Sequence, residues 1–147
     1  MNILSKVQER IKELMTEREL NVTKLASALS VSPSTVSRYV RGISLPTYGQ
    51  FVRLLEIFNC SADYLLGLTD VDVVGGTWCE VPPFSVRFRA LLKQYQLSQY
   101  ALHKKTGFSY DNFNKWLKGI RNPYLDNLIK LARAFDCSVD YLMGRSR

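Results

Sequence analysis

Two phrases of this chain are near copies of each other. "FNCSADYLLG" begins at Phe58 and "FDCSVDYLMG" at Phe135, sharing Phe, Cys, Ser, Asp, Tyr, Leu and Gly in register at an offset of 77 residues. The same offset pairs Arg10 with Arg87, Leu14 with Leu91, Leu20 with Leu97, Leu25 with Leu102 and Ser32 with Ser109. It goes on to pair Gly42-Ile43 with Gly119-Ile120, Pro46 with Pro123 and Leu54 with Leu131, and no gap is needed anywhere. A chain of 147 residues written in this way is a tandem duplication of a unit of about 65 residues, a size that buries roughly 60% of its surface. Two copies are too few for a solenoid, so the repeat predicts two separate domains. Their expected limits are 1–68 and 84–147, with 69–83 as a linker.

Within each copy the apolar period is helical. Ile3, Val7, Ile11 and Leu14 predict a first helix over 3–19. Asn21 is placed to cap "VTKLASAL". Ser32-Pro33 is a cap followed by proline at the first helical position, which predicts a helix from Pro33 to about Arg41, stopped by Gly42. Pro46-Thr47 opens "YGQFVRLLEIF", and Ser61 opens "ADYLL". The second copy repeats the pattern with helices near Phe84–Gln94, after Ser98, after Ser109, after Pro123 and after Ser138. The fold class expected is all-α, five short helices per repeat. Between the copies, "LTDVDVVGGTWCEVPP" reads either as a flexible linker or as a short β-hairpin turning at Gly75-Gly76, with Val73 facing Trp78.

Charge points to an anionic partner. The net charge is +7, and residues 78–147 supply all of it, with 12 Lys+Arg against 5 Asp+Glu. The central segments of both copies are basic nevertheless. Leu20–Leu55 holds Lys24, Arg38, Arg41 and Arg53 and no acid; Leu97–Leu125 holds Lys104, Lys105, Lys115, Lys118 and Arg121 against Asp111 alone. The three cysteines form no CxxC pair and there is one histidine, which argues against a metal site. Cys60 and Cys137 are expected to be small buried hydrophobes. No apolar run approaches the roughly 18 residues that span a membrane, and the start lacks the apolar core of a signal peptide. The expectation is a cytoplasmic protein with no cofactor, no small-molecule ligand in evidence and no contact with a membrane.

The segment "LSQYALHKKTGFSYDNFNKWLKGIRNP" resembles the helix-turn-helix of the Cro/repressor (XRE-type) family. The resemblance rests on Leu97-Ser98-Gln99, Leu102, Gly107-Phe108-Ser109, Phe113, Lys118-Gly119 and Pro123. The first copy is similar through Leu20, Leu25, Val31-Ser32, Val36, Arg41-Gly42 and Pro46, and "SADYLLG" and "SVDYLMG" resemble the family's last helix. The resemblance implies two lambda-repressor-like DNA-binding domains. The chain departs from the pattern at Ser30, where a left-handed turn normally takes Gly, at a cost of about 1 kcal/mol. It departs again at His103, where a small Ala lets the second and third helices approach.

The third helix of such a domain lies in the major groove of double-stranded DNA. Its exposed face offers Ser34, Ser37 and Arg38 in the first copy and Tyr110, Asp111, Asn114 and Lys115 in the second. Arg and Lys read guanine, Asn reads adenine and Asp accepts from cytosine. Phosphates are expected at Asn21, Arg41, Ser98, Gln99, Lys118 and Arg121. Val31, Val36, Phe108 and Phe113 face the core, while Tyr39 and Trp116 are divided between core and DNA backbone. No nucleophile–base pair or phosphate loop suggests an enzyme. The leading reading is a sequence-specific transcriptional regulator with two reading heads and an asymmetric site. The alternative is a protein-interaction module, of antitoxin or anti-repressor type, in which one or both repeats serve assembly. One chain can act alone as a covalent pseudo-dimer or form a homodimer with four heads. A linker of roughly 14 residues stretches some 45 Å, enough for half-sites about 34 Å apart.

Overall fold

Eight of the ten described helices begin where a short side chain replaces the missing helical acceptor; the two that follow Pro83 and Tyr124 begin without one. The computed structural model describes residues 2–73 and 77–146; among them are ten helices and no strand. One unit, Met1–Gly76, holds α1 (Ile3–Glu17), α2 (Val22–Leu29), α3 (Pro33–Val40), α4 (Tyr48–Phe58) and α5 (Ala62–Leu65). The other, Thr77–Arg147, holds α6 (Phe84–Gln94), α7 (Gln99–Thr106), α8 (Tyr110–Lys118), α9 (Leu125–Phe135) and α10 (Val139–Met143). The side chains of Asn21, Ser32, Thr47 and Ser61 each accept an amide of the first turn of α2, α3, α4 and α5. Ser98, Ser109 and Ser138 do the same for α7, α8 and α10. Each such cap is worth about 1 kcal/mol. At the other ends, α7, α8 and α10 stop on a left-handed glycine, whereas α2 stops on Ser30 at φ 57°.

The two cores share a plan but are filled differently. Val7, Ile11, Val36 and Tyr39 of the first unit stand where the second has Phe84, Phe88, Phe113 and Trp116, all eight buried. In the second unit Phe84, Phe108 and Phe113 surround Trp116, the first two edge-on at 6.3 and 5.4 Å and Phe113 at 5.9 Å. The packing shifts accordingly. In the first unit α3 rests chiefly on α2; in the second α8 rests chiefly on α6. The residue at the helix crossing accounts for this. Ala26 is buried between α2 and α3 and admits close approach. Its counterpart His103 is bulky, and the larger aromatic side chains fill the space between α6 and α8. Trp116, 1% exposed, is a core residue, as is Tyr39. Val31 and Cys137 are only half-buried, unlike Phe108 and Cys60.

One contact recurs in both units and explains part of the duplicated phrase. Arg10 Nε donates to the Tyr64 carbonyl at 3.1 Å, and its guanidinium lies 4.2 Å over the Tyr64 ring. Arg87 does the same to Tyr141, at 3.1 and 4.7 Å. The first helix thus satisfies the carboxyl end of the last, which is too short to stand alone. Hydrogen bonds from Gln94 and Arg87 hold the Tyr141 phenol below its ordinary pKa, while burial raises that of Tyr64.

The segments joining the units are held at both sides. The turn expected at Gly75-Gly76 lies outside the described residues, and 71–73 and 77–81 form no strand. Val73 is exposed, and the Trp78 ring lies 4.3 Å from the Arg145 guanidinium. No helix of the described residues is long and apolar enough to cross a membrane.

Candidate nucleic-acid interface

A surface stripe on each third helix holds the residues expected to read bases, Tyr110 excepted, and ends on one expected at a phosphate, Arg41 or Lys118. In α3, Ser34, Ser37, Arg38 and Arg41 follow the i, i+3, i+4, i+7 spacing that puts side chains on one face. Ser34, Arg38 and Arg41 are exposed and Ser37 is half-buried. In α8 and its cap, the same stripe holds Asp111, Asn114, Lys115 and Lys118, with Lys115 half-buried and the rest exposed. Val36 and Phe113, on the opposite faces, are fully buried and fix the rotation of each helix.

The two stripes differ in chemistry. The first is uncharged at its amino end, where Ser32 Oγ lies 3.0 Å from both Ser34 Oγ and Thr35 Oγ1, and cationic at its carboxyl end. The second carries an i,i+4 ion pair, Lys115 Nζ to Asp111 Oδ2 at 3.0 Å. Such an exposed pair contributes roughly 0.3–0.5 kcal/mol, so it orients Lys115 without locking it.

Tyr110 opens α8 and is 46% exposed. Its ring stacks on His103 with centroids 4.9 Å apart, and His103 Nδ1 lies 2.7 Å from the Phe108 carbonyl oxygen. His103 therefore fixes the turn before α8 and carries Tyr110. The duplication gave no sign of this, because position 26 of the first copy is alanine. A second supporting contact is Arg121 to Asn112 Oδ1, which ties the loop after α8 back onto that helix.

The residues expected at phosphates lie around these stripes. Asn21 and Ser98 are exposed at the amino ends of α2 and α7, where their oxygens accept from Lys24 N at 2.8 Å and Ala101 N at 3.0 Å. Gln99, Arg41 and Lys118 are exposed, and Arg121 is half-buried by its bond to Asn112. The carboxyl end of each third helix is held from the first helix of its unit. Gln8 Nε2 donates to the Val40 carbonyl at 3.0 Å and Arg89 Nη2 to the Leu117 carbonyl at 3.2 Å. Arg53, counted above among the basic residues, is committed to the Ala28 carbonyl at 2.8 Å. Among the described residues no cluster of His, Cys, Asp and Glu is placed to hold a metal ion.

Comparison with known proteins places both units in a family. A family model described as helix-turn-helix matches residues 11–65, and one described as the Cro/C1-type HTH DNA-binding domain matches residues 87–146. The chain is similar to YobD of Bacillus subtilis (strain 168), an uncharacterized HTH-type transcriptional regulator, with 36% identity over 58 residues. That alignment covers 40% of this chain and 52% of YobD. It is also similar to the repressor protein C2 of Salmonella phage P22, 37% identical over 57 residues, or 39% of this chain and 26% of the phage protein. The chain therefore spans about half the length of the first relative and about a quarter of the second. No solved structure matches it.

Proposed function

Because this chain belongs to the Cro/repressor helix-turn-helix family and carries two such domains in tandem, we propose that it is a sequence-specific DNA-binding transcriptional regulator acting in the cytoplasm. Its two heads read unlike halves of one site. The observation that carries this reading is the pair of equivalent but chemically different stripes, Ser34-Ser37-Arg38 and Asp111-Asn114-Lys115, each on a helix rotated by its own buried core. Arg38 and Lys115 read guanine, Asn114 reads adenine and Asp111 accepts from cytosine. Ser34, Ser37 and Tyr110 complete the base contacts. Asn21, Ser98, Gln99, Arg41, Lys118 and Arg121 bind phosphates and set the register. Regulators with one such head per chain pair two identical chains and read a palindrome; fusing two unlike heads removes the requirement that the halves match.

The test is a titration of the full chain on mixed genomic DNA at two salt concentrations, followed by selection of sites from random DNA. Affinity that falls steeply with salt, and a selected site without a palindrome, support the proposal. Absence of binding at low salt would leave the chain as a protein-interaction module. A perfect palindrome would mean that one head reads DNA within a dimer of chains.

A further inference from the structure

We infer that Arg145, Trp78, Arg18 and Arg10 are spacing-determining residues: they dock the two ends of the connecting segment onto their own units and so shorten the tether between the heads. On the second unit the Arg145 guanidinium sits between the Trp78 ring, at 4.3 Å, and Asp140 Oδ1, at 2.7 Å. Arg145 and Asp140 are 3% and 4% exposed. The Cys79 amide donates to the Arg145 carbonyl at 2.8 Å. Pro82 packs on Gly144 so closely that a Cβ there would lie 2.9 Å from Pro82 Cδ. On the first unit Arg10 Nη2 donates to the Thr69 carbonyl at 3.1 Å and to Asp70 at 3.0 Å, and Arg18 Nη2 meets Asp72 Oδ2 at 3.4 Å. Asp70 is open to water, so its pair is weak. The Arg18–Asp72 pair is the sheltered one, with both side chains about a quarter exposed or less.

The consequence is one of length. An undocked segment from 69 to 83 would reach some 45 Å. With both ends docked, the chain from Asp72 to Trp78 stretches no further than about 20 Å. Releasing the Arg145 clasp would free the chain as far as α6 and extend that reach to about 40 Å. A short tether admits few separations of the two half-sites, and a long one admits many. The contacts of the second unit do not follow from the duplication: the counterpart of Arg145 is Leu68, and the counterpart of Trp78 is Met1. The inference about site spacing rests on the proposed DNA reading; the inference about the tether does not.

Two measurements on the full chain separate these points. In the first, Cys60, Cys79 and Cys137 are replaced by alanine, and spin labels are placed at the exposed equivalents Glu56 and Arg133. The distribution of distances is then recorded by pulsed electron resonance. Its outer limit is expected to move outward by up to about 20 Å, relative to the parent, in Trp78→Ala and in Arg145→Ala. Because Arg145→Ala strips a buried carboxylate of its cation and can unfold the unit, Trp78→Ala, which keeps the ion pair, decides. An outer limit unchanged in Trp78→Ala overturns the inference. In the second, sites are selected from random DNA. The wild type is expected to yield one separation between half-sites and Trp78→Ala several; a single separation in both overturns the link to spacing. If no DNA is selected while the distances behave as expected, the DNA reading fails and the docked tether stands.

Discussion

The two units keep the same frame and differ in almost everything that frame carries. The arginine–tyrosine clamp, the serine caps and the leucines of the core recur at an offset of 77 residues. The third-helix stripes keep a cation at two equivalent positions, Arg38 and Lys115, Arg41 and Lys118, and differ at the other two, where Ser34 and Ser37 stand against Asp111 and Asn114. The excess of positive charge in the second half lies largely elsewhere. On the outer face of α1, Glu9, Lys12, Glu13, Thr16 and Glu17 sum to −2, and on α6 their counterparts Val86, Arg89, Ala90, Lys93 and Gln94 sum to +2. The third-helix stripes run the other way, +2 for Arg38 and Arg41 against +1 once Asp111 is counted with Lys115 and Lys118. Net charge by halves therefore says little about readout.

Four experiments would break or sharpen this comparison. The largest effect is expected from the cores. Trp116→Ala should cost the second unit about 3–5 kcal/mol and lower one of two calorimetric transitions by more than about 10 °C, leaving the other in place. If both transitions move together, the units do not fold independently. Next comes readout. Arg38→Ala should relax base preference in one half of the selected site and Lys115→Ala in the other, each by about 1–3 kcal/mol, as scored by selection from random DNA with each variant. Relaxation of the same bases by both would erase the functional difference between the heads.

The third experiment uses alkali. Burial raises the phenol pKa of Tyr39, Tyr48 and Tyr64 in the first unit. At two of these positions the second unit has Trp116 and Leu125, which do not ionise, and its Tyr141 is shifted downward. A raised phenol favours the folded state while neutral, so its contribution is complete below the unfolded value near 10 and is lost as pH rises above it. For Tyr48, the most strongly shifted, the loss approaches about 1.4 kcal/mol per pH unit. Stability measured by urea unfolding between pH 9 and 11 should fall faster for the first unit; equal slopes would refute the assignment. The smallest effect concerns the turn before each third helix. Ser30 and its counterpart Gly107 are both left-handed, at φ 57° and 75°. A Cβ at Gly107 would meet nothing within 4 Å, so only the backbone decides. Ser30→Gly should stabilise the first unit by up to about 1 kcal/mol and Gly107→Ser should destabilise the second by a similar amount, both read from denaturant midpoints.

Much of this was legible in the sequence because it is local. Caps, prolines and glycines act over three or four residues, and that range is enough to place all ten helices to within a residue or two at most ends. The exposed face of each third helix followed from helical period and the buried positions; the choice of that helix came from the resemblance to the helix-turn-helix family. What the sequence left hidden depends on residues distant along the chain. His103 signalled that α7 and α8 pack differently, but not that Phe84, Phe88, Phe113 and Trp116 would move the main support of α8 to α6. The tie from Arg121 to Asn112 and the clasp of Arg145 on Trp78 join residues whose types carry no pairing rule. For the connecting segment, glycines suggested a turn, and nothing local revealed that arginines would hold its flanks.

The placement of the aromatic residues also decides what light can report about this molecule. Both tryptophans, Trp78 and Trp116, belong to the second unit. One is sealed inside a ring of phenylalanines and the other is stacked against a guanidinium. Intrinsic emission excited at the indole band is therefore blind to the first unit. The first unit could lose its structure entirely, with the heads reduced to one, while the emission spectrum stayed the same. Replacing Trp78 would leave a single fluorophore that reports the interior of one head, and replacing Trp116 by phenylalanine would leave one that reports the clasp.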